Sequence, residues 1–302
     1  MEFNPDGDLD SSQVEDVRGS GGGRSGLPGG RMGLPVGGGI GGLILLIIIV
    51  LLNGGLGGLT GGSDEPTTQN TGSDSLSNCK KVSDIQRNQN CRFVAYQTSI
   101  QDFWTAELAR RGKRYQKSRM QVFSGQTSTG CGPASSSVGP FYCPVDKKVY
   151  IDVDFLDVLF DQLGAEGGMF AEAYVIAHEY GHHVQDLYGY LDRIRTREGP
   201  ESDSVRSELQ ADCLAGVWAN HATTTPQANG KPLISNITQD DIQQGLDAAA
   251  KVGDDYIQSK TQGQADPESF THGTSEQRRR WFTSGFKTGD LSSCDTWGAQ
   301  QL

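Results

Sequence analysis

The chain has little positive charge and few histidines. Lysine and arginine number 26 against 37 aspartates and glutamates, so the net charge is −11 over 302 residues. No basic cluster that could bind phosphate groups is visible, and nucleic acid is therefore excluded as a predicted partner. The sequence also lacks a Cys-x-x-Cys pair, which argues against a zinc ribbon. Three of the five histidines lie within six positions, which directs attention to that stretch.

The first 78 residues contain no cysteine, whereas the rest of the chain contains six. An even number of cysteines confined to one part of a chain predicts disulfide bonds formed in an oxidising compartment. Their short spacing favours the pairs Cys79–Cys91 and Cys131–Cys143, which leaves Cys213 to pair with Cys294. Buried free thiols are the alternative interpretation.

The N-terminal third of the chain is dominated by glycine and by one apolar run. Residues 1–31 have too little apolar surface to offset the entropy of ordering, which predicts a disordered segment. Residues 32–62 contain no charged side chain, and their centre, LILLIIIVLL at 43–52, is entirely apolar. With its flanking residues this run is long enough to cross a bilayer, which takes about 20 residues. We therefore predict a transmembrane anchor at 33–53.

A cleaved signal peptide is the alternative to an anchor. The segment before the apolar run is long and carries acidic residues, and no Ala-x-Ala cleavage pattern follows the run. Three arginines precede the run, and no lysine or arginine follows it before Lys80. The positive-inside rule then predicts a single-pass protein of the cell membrane with a cytoplasmic N-terminus. Residues 54–78 have the composition of a flexible linker, so the predicted extracytoplasmic domain covers 79–302.

Hydrophobic spacing within this domain predicts more helix than strand. The first helix is expected at 93–115, whereas RMQVFSG at 119–125 and KVYIDVDF at 148–155 have the pattern of strands. Glycine and proline predict a loop at 130–144. Five further helices are expected, at 154–163, 168–188, 202–222, 238–258 and 274–286. The predicted fold class is an α+β domain, mainly helical and zincin-like, with a small β-sheet, preceded by a single transmembrane helix.

The stretch AEAYVIAHEYGHHVQDLYG, residues 171–189, contains a His-Glu-x-x-His motif. His178 and His182 are four residues apart, so on a helix they lie on one face and both imidazoles can reach one metal ion. Glu179 follows the first histidine directly and can take a proton from a water that zinc has made acidic. Gly181 costs about 1 kcal/mol relative to alanine within a helix, which indicates a close approach of another backbone or of a substrate.

A catalytic zinc site needs a third protein ligand and an open position for water. The stretch SELQADCLAGVWA at 207–219 has two acids four residues apart on a second predicted helix. Glu208 is the candidate third ligand, and Asp212 is placed to accept a hydrogen bond from the free ring nitrogen of a ligand histidine. A solvated helix surface is the alternative for Glu208. It is weakened by the apolar neighbours, because two acids on a buried helix need a partner such as a metal.

His272 lies in FTHGTSEQRRRWF at 270–282, where a loop enters a helix. Thr274 or Ser275 is the expected N-cap of that helix. A histidine at this point is a candidate for stabilising the oxyanion that forms when water attacks a carbonyl, and Arg278 is a candidate to support the same site. The alternative is that His272 only caps the helix or packs against it.

These motifs together resemble the bacterial neutral zinc metallopeptidase family. The resemblance rests on HEYGHHVQ, ELQADCLAG and FTHGTSEQRRRWF, and it extends to SSQVEDVRG, the glycine-rich segment and GCGPASSSVGPFYCP. It implies a membrane-anchored, gluzincin-like peptidase domain in which Glu179 matches the catalytic glutamate. The zinc ligands implied by the resemblance are two helical histidines and a glutamate: His178, His182 and Glu208. The N-terminal motif departs from the family at Gln13, where asparagine is expected.

The sequence therefore predicts a zinc peptidase with one Zn²⁺ per chain. Its predicted partners are a peptide or protein substrate and, through the anchor, a lipid bilayer. An extended peptide would lie along an edge strand, for which 148–155 is the candidate. The alternatives are a non-catalytic, zinc-stabilised binding module of the cell envelope and a zinc amidase acting on cell-wall peptides. A structural zinc has no use for a base beside an open coordination position, so Glu179 distinguishes an enzyme from a binding module.

Overall fold

The computed structural model describes residues 1–18 and 75–302, in which the chain forms seven α-helices and eight strands. The helices are α1 (Cys91–Arg110), α2 (Val153–Asp157), α3 (Met169–Tyr188), α4 (Asp203–His221), α5 (Gln239–Lys251), α6 (Asp254–Gln262) and α7 (Ser275–Thr288). The strands are β1 (Glu2–Phe3), β2 (Val14–Asp16), β3 (Arg119–Phe123), β4 (Gln126–Thr129), β5 (Gly132–Ser135), β6 (Phe141–Cys143), β7 (Lys148–Asp152) and β8 (Ile234–Asn236).

The strands form three small sheets instead of the single sheet that was predicted. The largest has the order β2-β3-β7-β6, in which β2 and β7 run parallel to β3 and β6 runs antiparallel to β7. β4 and β5 form an antiparallel hairpin, and β1 pairs antiparallel with β8. The strand that was expected to be an edge, β7, is therefore an interior strand.

Helices α3, α4 and α7 occupy the centre of the domain. α4 packs against both α3 and α7, and α5 covers α3 and α7. Aromatic rings fill the spaces between these helices: Phe170 stacks on Trp218, and Phe282 lies edge-on to Tyr174. All four rings are buried. Burial of each phenylalanine side chain stabilises the fold by roughly 1.5–3 kcal/mol, so this centre holds the helices in fixed relative positions.

α4 and α7 approach each other closely because each has a glycine where they cross. A Cβ atom on Gly216 would lie 2.1 Å from the carbonyl oxygen of Phe282, and one on Gly285 would lie 2.0 Å from that of Cys213. In both cases the obstacle is backbone, which a side-chain rotation cannot move aside. The close crossing therefore fixes the distance between α4 and α7, and with it which side chains of α7 can contact α4.

Replacing Gly285 with alanine is expected to lower the free energy of unfolding by about 1–3 kcal/mol, because an overpacked crossing must open. Urea denaturation followed by circular dichroism measures the change. Gly167→Ala is the matched control, since its Cβ would lie 3.9 Å from the ring of Phe160, an ordinary contact. Equal stability of the Gly285→Ala variant and the parent would show that α4 and α7 can separate without cost.

Most predicted helices are present within a few residues, and the departures have local causes. The helix expected at 238–258 is instead two helices, because the extended backbone of Gly253 ends the first and caps the second. The loop expected at 130–144 contains β5 and β6. The strand expected at 148–155 ends at Asp152, whose side chain caps α2.

Three disulfide bonds join the predicted pairs, which confirms the pairing expected from the spacing. They are Cys79–Cys91, Cys131–Cys143 and Cys213–Cys294. The first fastens the segment before α1 to its first residue, and the third joins α4 to the C-terminal segment across 81 positions of sequence. Closing so long a loop removes much conformational freedom from the unfolded chain.

The prediction that the N-terminal segment is disordered is wrong for residues 1–18. β1 pairs with β8, β2 lies beside β3, and Leu9 is buried in the core. The backbone N–H of Leu76 donates to the carboxylate of Asp16 at 3.2 Å, and Leu76 is itself buried, so the domain begins before residue 79. Composition could not reveal these strands because their backbone hydrogen bonds come from distant partners. Residues 19–31 lie outside the described part of the chain.

The predicted membrane anchor and single-pass localisation also need correction. No helix within residues 1–18 and 75–302 is long and apolar enough to cross a membrane, and the stretch 33–53 lies outside the described residues. Residues 1–18 share a sheet and a core with the rest of the domain. They therefore lie on the same side of any bilayer as that domain, whereas one crossing would place them on opposite sides. The fold class is a mixed α/β domain with seven helices and small sheets in the described residues.

Candidate metal centre

Three side chains from two neighbouring helices converge on one point. α3 carries His178 and His182 one turn apart, and α4 brings Glu208 against both. Nε2 of His178 lies 3.1 Å from one carboxylate oxygen of Glu208, and Nε2 of His182 lies 3.4 Å from the other. One ligand atom from each residue lies within 4.8 Å of the others. The structure thus brings together the three residues that the motifs predicted as metal ligands.

The donor set and the local charge fit zinc. Two imidazole nitrogens and a carboxylate are ligands that Zn²⁺ prefers, and three protein ligands leave one position of a tetrahedral site for water. Burial acts to lower the pKa of His178, but the Asp212 and Glu208 carboxylates outweigh it and raise that pKa to about 10. Burial acts to raise the pKa of Glu208, but His182 and His272 hold it well below its usual range. Glu208 is therefore ionised and offers a negatively charged oxygen to a cation.

A buried network lies behind His178. Nδ1 of His178 lies 2.8 Å from the carboxylate of Asp212. The same carboxylate accepts a hydrogen bond from the hydroxyl of Tyr174 at 2.6 Å and two from the guanidinium group of Arg278, at 2.9 and 3.0 Å. Burial acts to raise the pKa of Asp212, but Arg278 and His178 lower it to about 2. An ionised Asp212 holds the proton on Nδ1 and leaves Nε2 free for a metal. The structure places Asp212 beside a ring nitrogen of His178, as the spacing predicted, and Arg278 contacts the same carboxylate.

His182 has a partner that was not predicted. Its Nδ1 lies 2.8 Å from the side-chain oxygen of Gln185, one turn later on α3. The side-chain nitrogen of Gln185 donates to the carbonyl of Ser207 at 2.7 Å and to the side-chain oxygen of Gln210 at 3.1 Å. The spacing in HHVQ places Gln185 on the face of His182, and this was the available sequence signal.

Glu179 is buried beside the ligand histidines, with 8% of its surface exposed. Burial is the largest influence on its pKa and raises it, whereas the nearby His178 and His182 act to lower it. The carboxylate is thus partly shielded from water and lies within electrostatic reach of both rings. This is the environment in which a general base works close to neutral pH.

His272 lies near the ligand set, in the loop that leads into α7, and the N-cap of α7 is Thr274. One oxygen of the buried Asp254 accepts three backbone N–H groups of this loop, at 2.7 to 3.0 Å: those of Thr271, His272 and Gly273. Its other oxygen lies 3.5 Å from Nδ1 of His272. Burial acts to lower the pKa of His272, but Glu208 and Asp254 raise it. His272 is therefore within electrostatic reach of the metal ligands.

The close approach expected at Gly181 is made by α4. A Cβ atom on Gly181 would lie 3.0 Å from both the Cα and the carbonyl oxygen of Ala211. The missing side chain lets the two helices come near enough for Glu208 to meet both histidines.

Strand β6, an edge of the four-stranded sheet, contacts the histidine-bearing helix α3. The hydroxyl of Tyr142 on β6 donates to Asp186 of α3 at 2.8 Å and lies 3.0 Å from Nδ1 of His183. The other edge, β2, pairs only with β3 among the described residues. The edge strand that faces the histidine-bearing helix is thus β6, and the prediction that 148–155 forms that edge is wrong.

Comparison with known proteins identifies the family. The family described as "Putative neutral zinc metallopeptidase" matches residues 4–297, which is nearly the whole chain. The chain belongs to this family, as its motifs predicted. The family name implies zinc, and the two histidines and glutamate described above are residues that could hold it.

Two relatives show how far the similarity extends. The chain is 51% identical over 229 residues to "Uncharacterized protein Rv2575" of Mycobacterium tuberculosis, which covers 75% of this chain and 77% of that protein. It is 42% identical over 302 residues to "Uncharacterized protein YpfJ" of Escherichia coli K12, which covers 97% and 98%. No solved structure matches the chain. Both relatives support the family assignment.

Proposed function

We propose that this protein is a zinc-dependent peptidase that hydrolyses peptide bonds. The observation that carries the proposal is the convergence of three zinc-type ligands beside a further buried carboxylate, Glu179. A structural zinc site usually has four protein ligands, whereas three leave a position open. When bound, zinc supplies a Lewis acid that polarises a carbonyl and makes water more acidic.

The protein's own groups divide the remaining work. Glu179 takes a proton from the attacking water and later passes it to the leaving amine. Asp212 keeps His178 in the tautomer that presents Nε2. His272 donates a hydrogen bond to the oxygen on which negative charge develops, and Asp254 holds its loop in place through three backbone N–H groups.

We further propose that the substrate is an extended peptide that pairs with the free edge of β6. An edge strand offers unpaired backbone N–H and C=O groups, and these recognise a peptide through main-chain hydrogen bonds. The contacts of Tyr142 with α3 support β6 as this edge, because they hold it against the helix that carries Glu179. Recognition of this kind depends weakly on substrate sequence, so several peptides of one library should be cleaved.

Zinc-dependent cleavage of a mixed peptide library is the expected result. The full chain, with its disulfides intact, is incubated with the library as purified, after removal of metal by a chelator, and after addition of one Zn²⁺ per chain. Cleavage should be present, lost and recovered in that order, because the open coordination position requires the metal. Mass spectrometry of the products measures it. The full chain is needed because residues 1–18 contribute two strands.

A zinc-loaded chain that cleaves no peptide of the library would contradict the proposal. Cell-wall peptide fragments serve as a parallel substrate in the same experiment. Cleavage confined to those fragments would assign the chain to the amidases, and no cleavage of either would favour a binding module.

A further inference from the structure

The ligand His182 is connected to the C-terminal segment through two buried glutamines. Nδ1 of His182 lies 2.8 Å from the side-chain oxygen of Gln185, and the side-chain nitrogen of Gln185 lies 3.1 Å from the oxygen of Gln210. The nitrogen of Gln210 in turn lies 3.0 Å from the backbone carbonyl of Cys294. Both glutamines are at most 3% exposed, so their amide groups are largely shielded from water.

The partners of the two amides fix which way each one points. A backbone carbonyl only accepts, so the carbonyl of Cys294 selects the nitrogen of Gln210. An indole N–H only donates, and that of Trp297 lies 3.3 Å from the oxygen of Gln210. The carbonyl of Ser207 likewise selects the nitrogen of Gln185. Neither amide can be turned over without placing two donors or two acceptors face to face.

This directionality determines where His182 carries its proton. The oxygen of Gln185 can only accept, so Nδ1 of His182 must donate to it. Nε2 of the same ring then keeps a free lone pair, and it is this atom that faces Glu208 at 3.4 Å. His178 achieves the same tautomer through the carboxylate of Asp212. The two ligand histidines thus have chemically different partners, one charged and one neutral.

The C-terminal segment is itself firmly attached to α4. The Cys213–Cys294 disulfide joins it covalently, and the fully buried Thr296 donates its hydroxyl to the backbone carbonyl of Arg206 at 2.7 Å. The guanidinium group of Arg206 donates back to the carbonyl of Ala299 at 3.0 Å. These attachments lie before and after Glu208 on the same helix, so the segment holds Gln210 in register with the ligands.

We propose that Gln185 and Gln210 are positioning residues that fix the tautomer and orientation of His182 as a metal ligand, and that the C-terminal segment holds them in place. The proposal rests on the zinc site proposed above. It assigns the segment after α7 a part in metal binding, although none of its residues is a ligand. Residues that orient a ligand histidine commonly change metal affinity by about 10–100-fold when they are removed.

The test is the zinc affinity of the full, disulfide-bonded chain, measured by competition with a fluorescent chelator. Methionine is similar in size to glutamine but offers no amide. Gln185→Met should weaken zinc binding by about 10–100-fold, and Gln210→Met should weaken it less. Gln101→Met is the matched control. Gln101 is also buried, but its side-chain oxygen accepts hydrogen bonds from Ser118 and Tyr115, neither of which is a candidate metal ligand. Its zinc affinity should equal that of the parent.

A second readout separates positioning from general stability. In the zinc-loaded parent the Nδ1–H proton of His182 should exchange slowly with water and give a resolved nuclear magnetic resonance signal, which the Gln185→Met variant should lose. Unchanged affinity and an unchanged signal in Gln185→Met would overturn the proposal, as would an equal loss of affinity in Gln101→Met. A parent that binds no zinc overturns both proposals. Weaker zinc binding in Gln185→Met supports the positioning role even where the parent cleaves no peptide.

Discussion

The Glu179→Gln variant is expected to bind zinc like the parent and to cleave peptides about 10²–10⁴-fold more slowly. An amide has nearly the shape of the carboxylate, but it cannot take a proton from water. Glu179 is not among the three converging ligands, so the metal site should survive the change. The rate constant for a peptide selected from the library, together with the zinc content by mass spectrometry, measures both parts of the expectation.

Glu172→Gln is the matched control for this variant. Glu172 lies two turns earlier on α3, is also 8% exposed, and accepts hydrogen bonds from Arg92 at 2.9 Å and from Tyr96 at 3.0 Å. The same chemical change there should lower stability and leave the rate of cleavage by the folded protein near that of the parent. Cleavage by Glu179→Gln at the parent rate would exclude the role of general base. Loss of zinc from that variant would instead make Glu179 a part of the metal site.

Arg278→Met is expected to lower the free energy of unfolding by about 3–5 kcal/mol. Asp212 is fully buried, and Arg278 supplies two of its hydrogen bonds and, together with His178, the positive charge that keeps it ionised. Methionine leaves that carboxylate ionised in a dry environment or forces it to take up a proton. Chemical denaturation of the metal-free chain measures the loss without a contribution from bound zinc.

Two further variants test this explanation. Arg279→Met removes a neighbouring arginine that is exposed, so its effect should stay within about 0.5 kcal/mol. Adding Asp212→Asn to Arg278→Met removes the uncompensated charge and should restore part of the lost stability. An equal loss in Arg279→Met would show that the effect is not specific to the buried ion pair. No recovery in the double variant would show that Arg278 acts through packing alone.

The two residue pairs of the candidate metal centre could be predicted from sequence because each pair depends on local helix geometry, whereas their meeting depends on the packing of α3 against α4. Spacing of four residues on a helix places His178 beside His182 and Glu208 beside Asp212, whatever surrounds the helices. Two of the disulfide pairs followed from their short spacing, and the pair Cys213–Cys294 was the remainder. Nothing local predicts that Arg278 meets Asp212, because the two residues are 66 positions apart in the sequence. They lie on helices α7 and α4, whose close crossing requires a glycine on each helix. The contacts of Gln210 and Asp254 were not predicted for the same reason, because packing determines which residues they meet.

The N-terminal part of the chain was mispredicted for a different reason. Composition reports whether a segment can bury enough apolar surface on its own. β1 and β2 do not need to, because each adds to a strand more than 100 positions away in the sequence. The prediction of a membrane anchor failed for a related reason. It rested on the apolar run at 43–52 alone, and the sequence does not reveal that β2 before this run pairs with β3 after it.

The contact between β2 and the segment before α1 has a consequence for unfolding. Asp16 at the end of β2 accepts a hydrogen bond from the side chain of Arg18 at 2.8 Å and one from the backbone N–H of Leu76 at 3.2 Å. The Cys79–Cys91 disulfide joins the segment that contains Leu76 to the first residue of α1. Separation of β2 from β3 would therefore also remove a hydrogen-bond partner from the segment that leads into α1, so the outer strand and the start of this helix lose stability together.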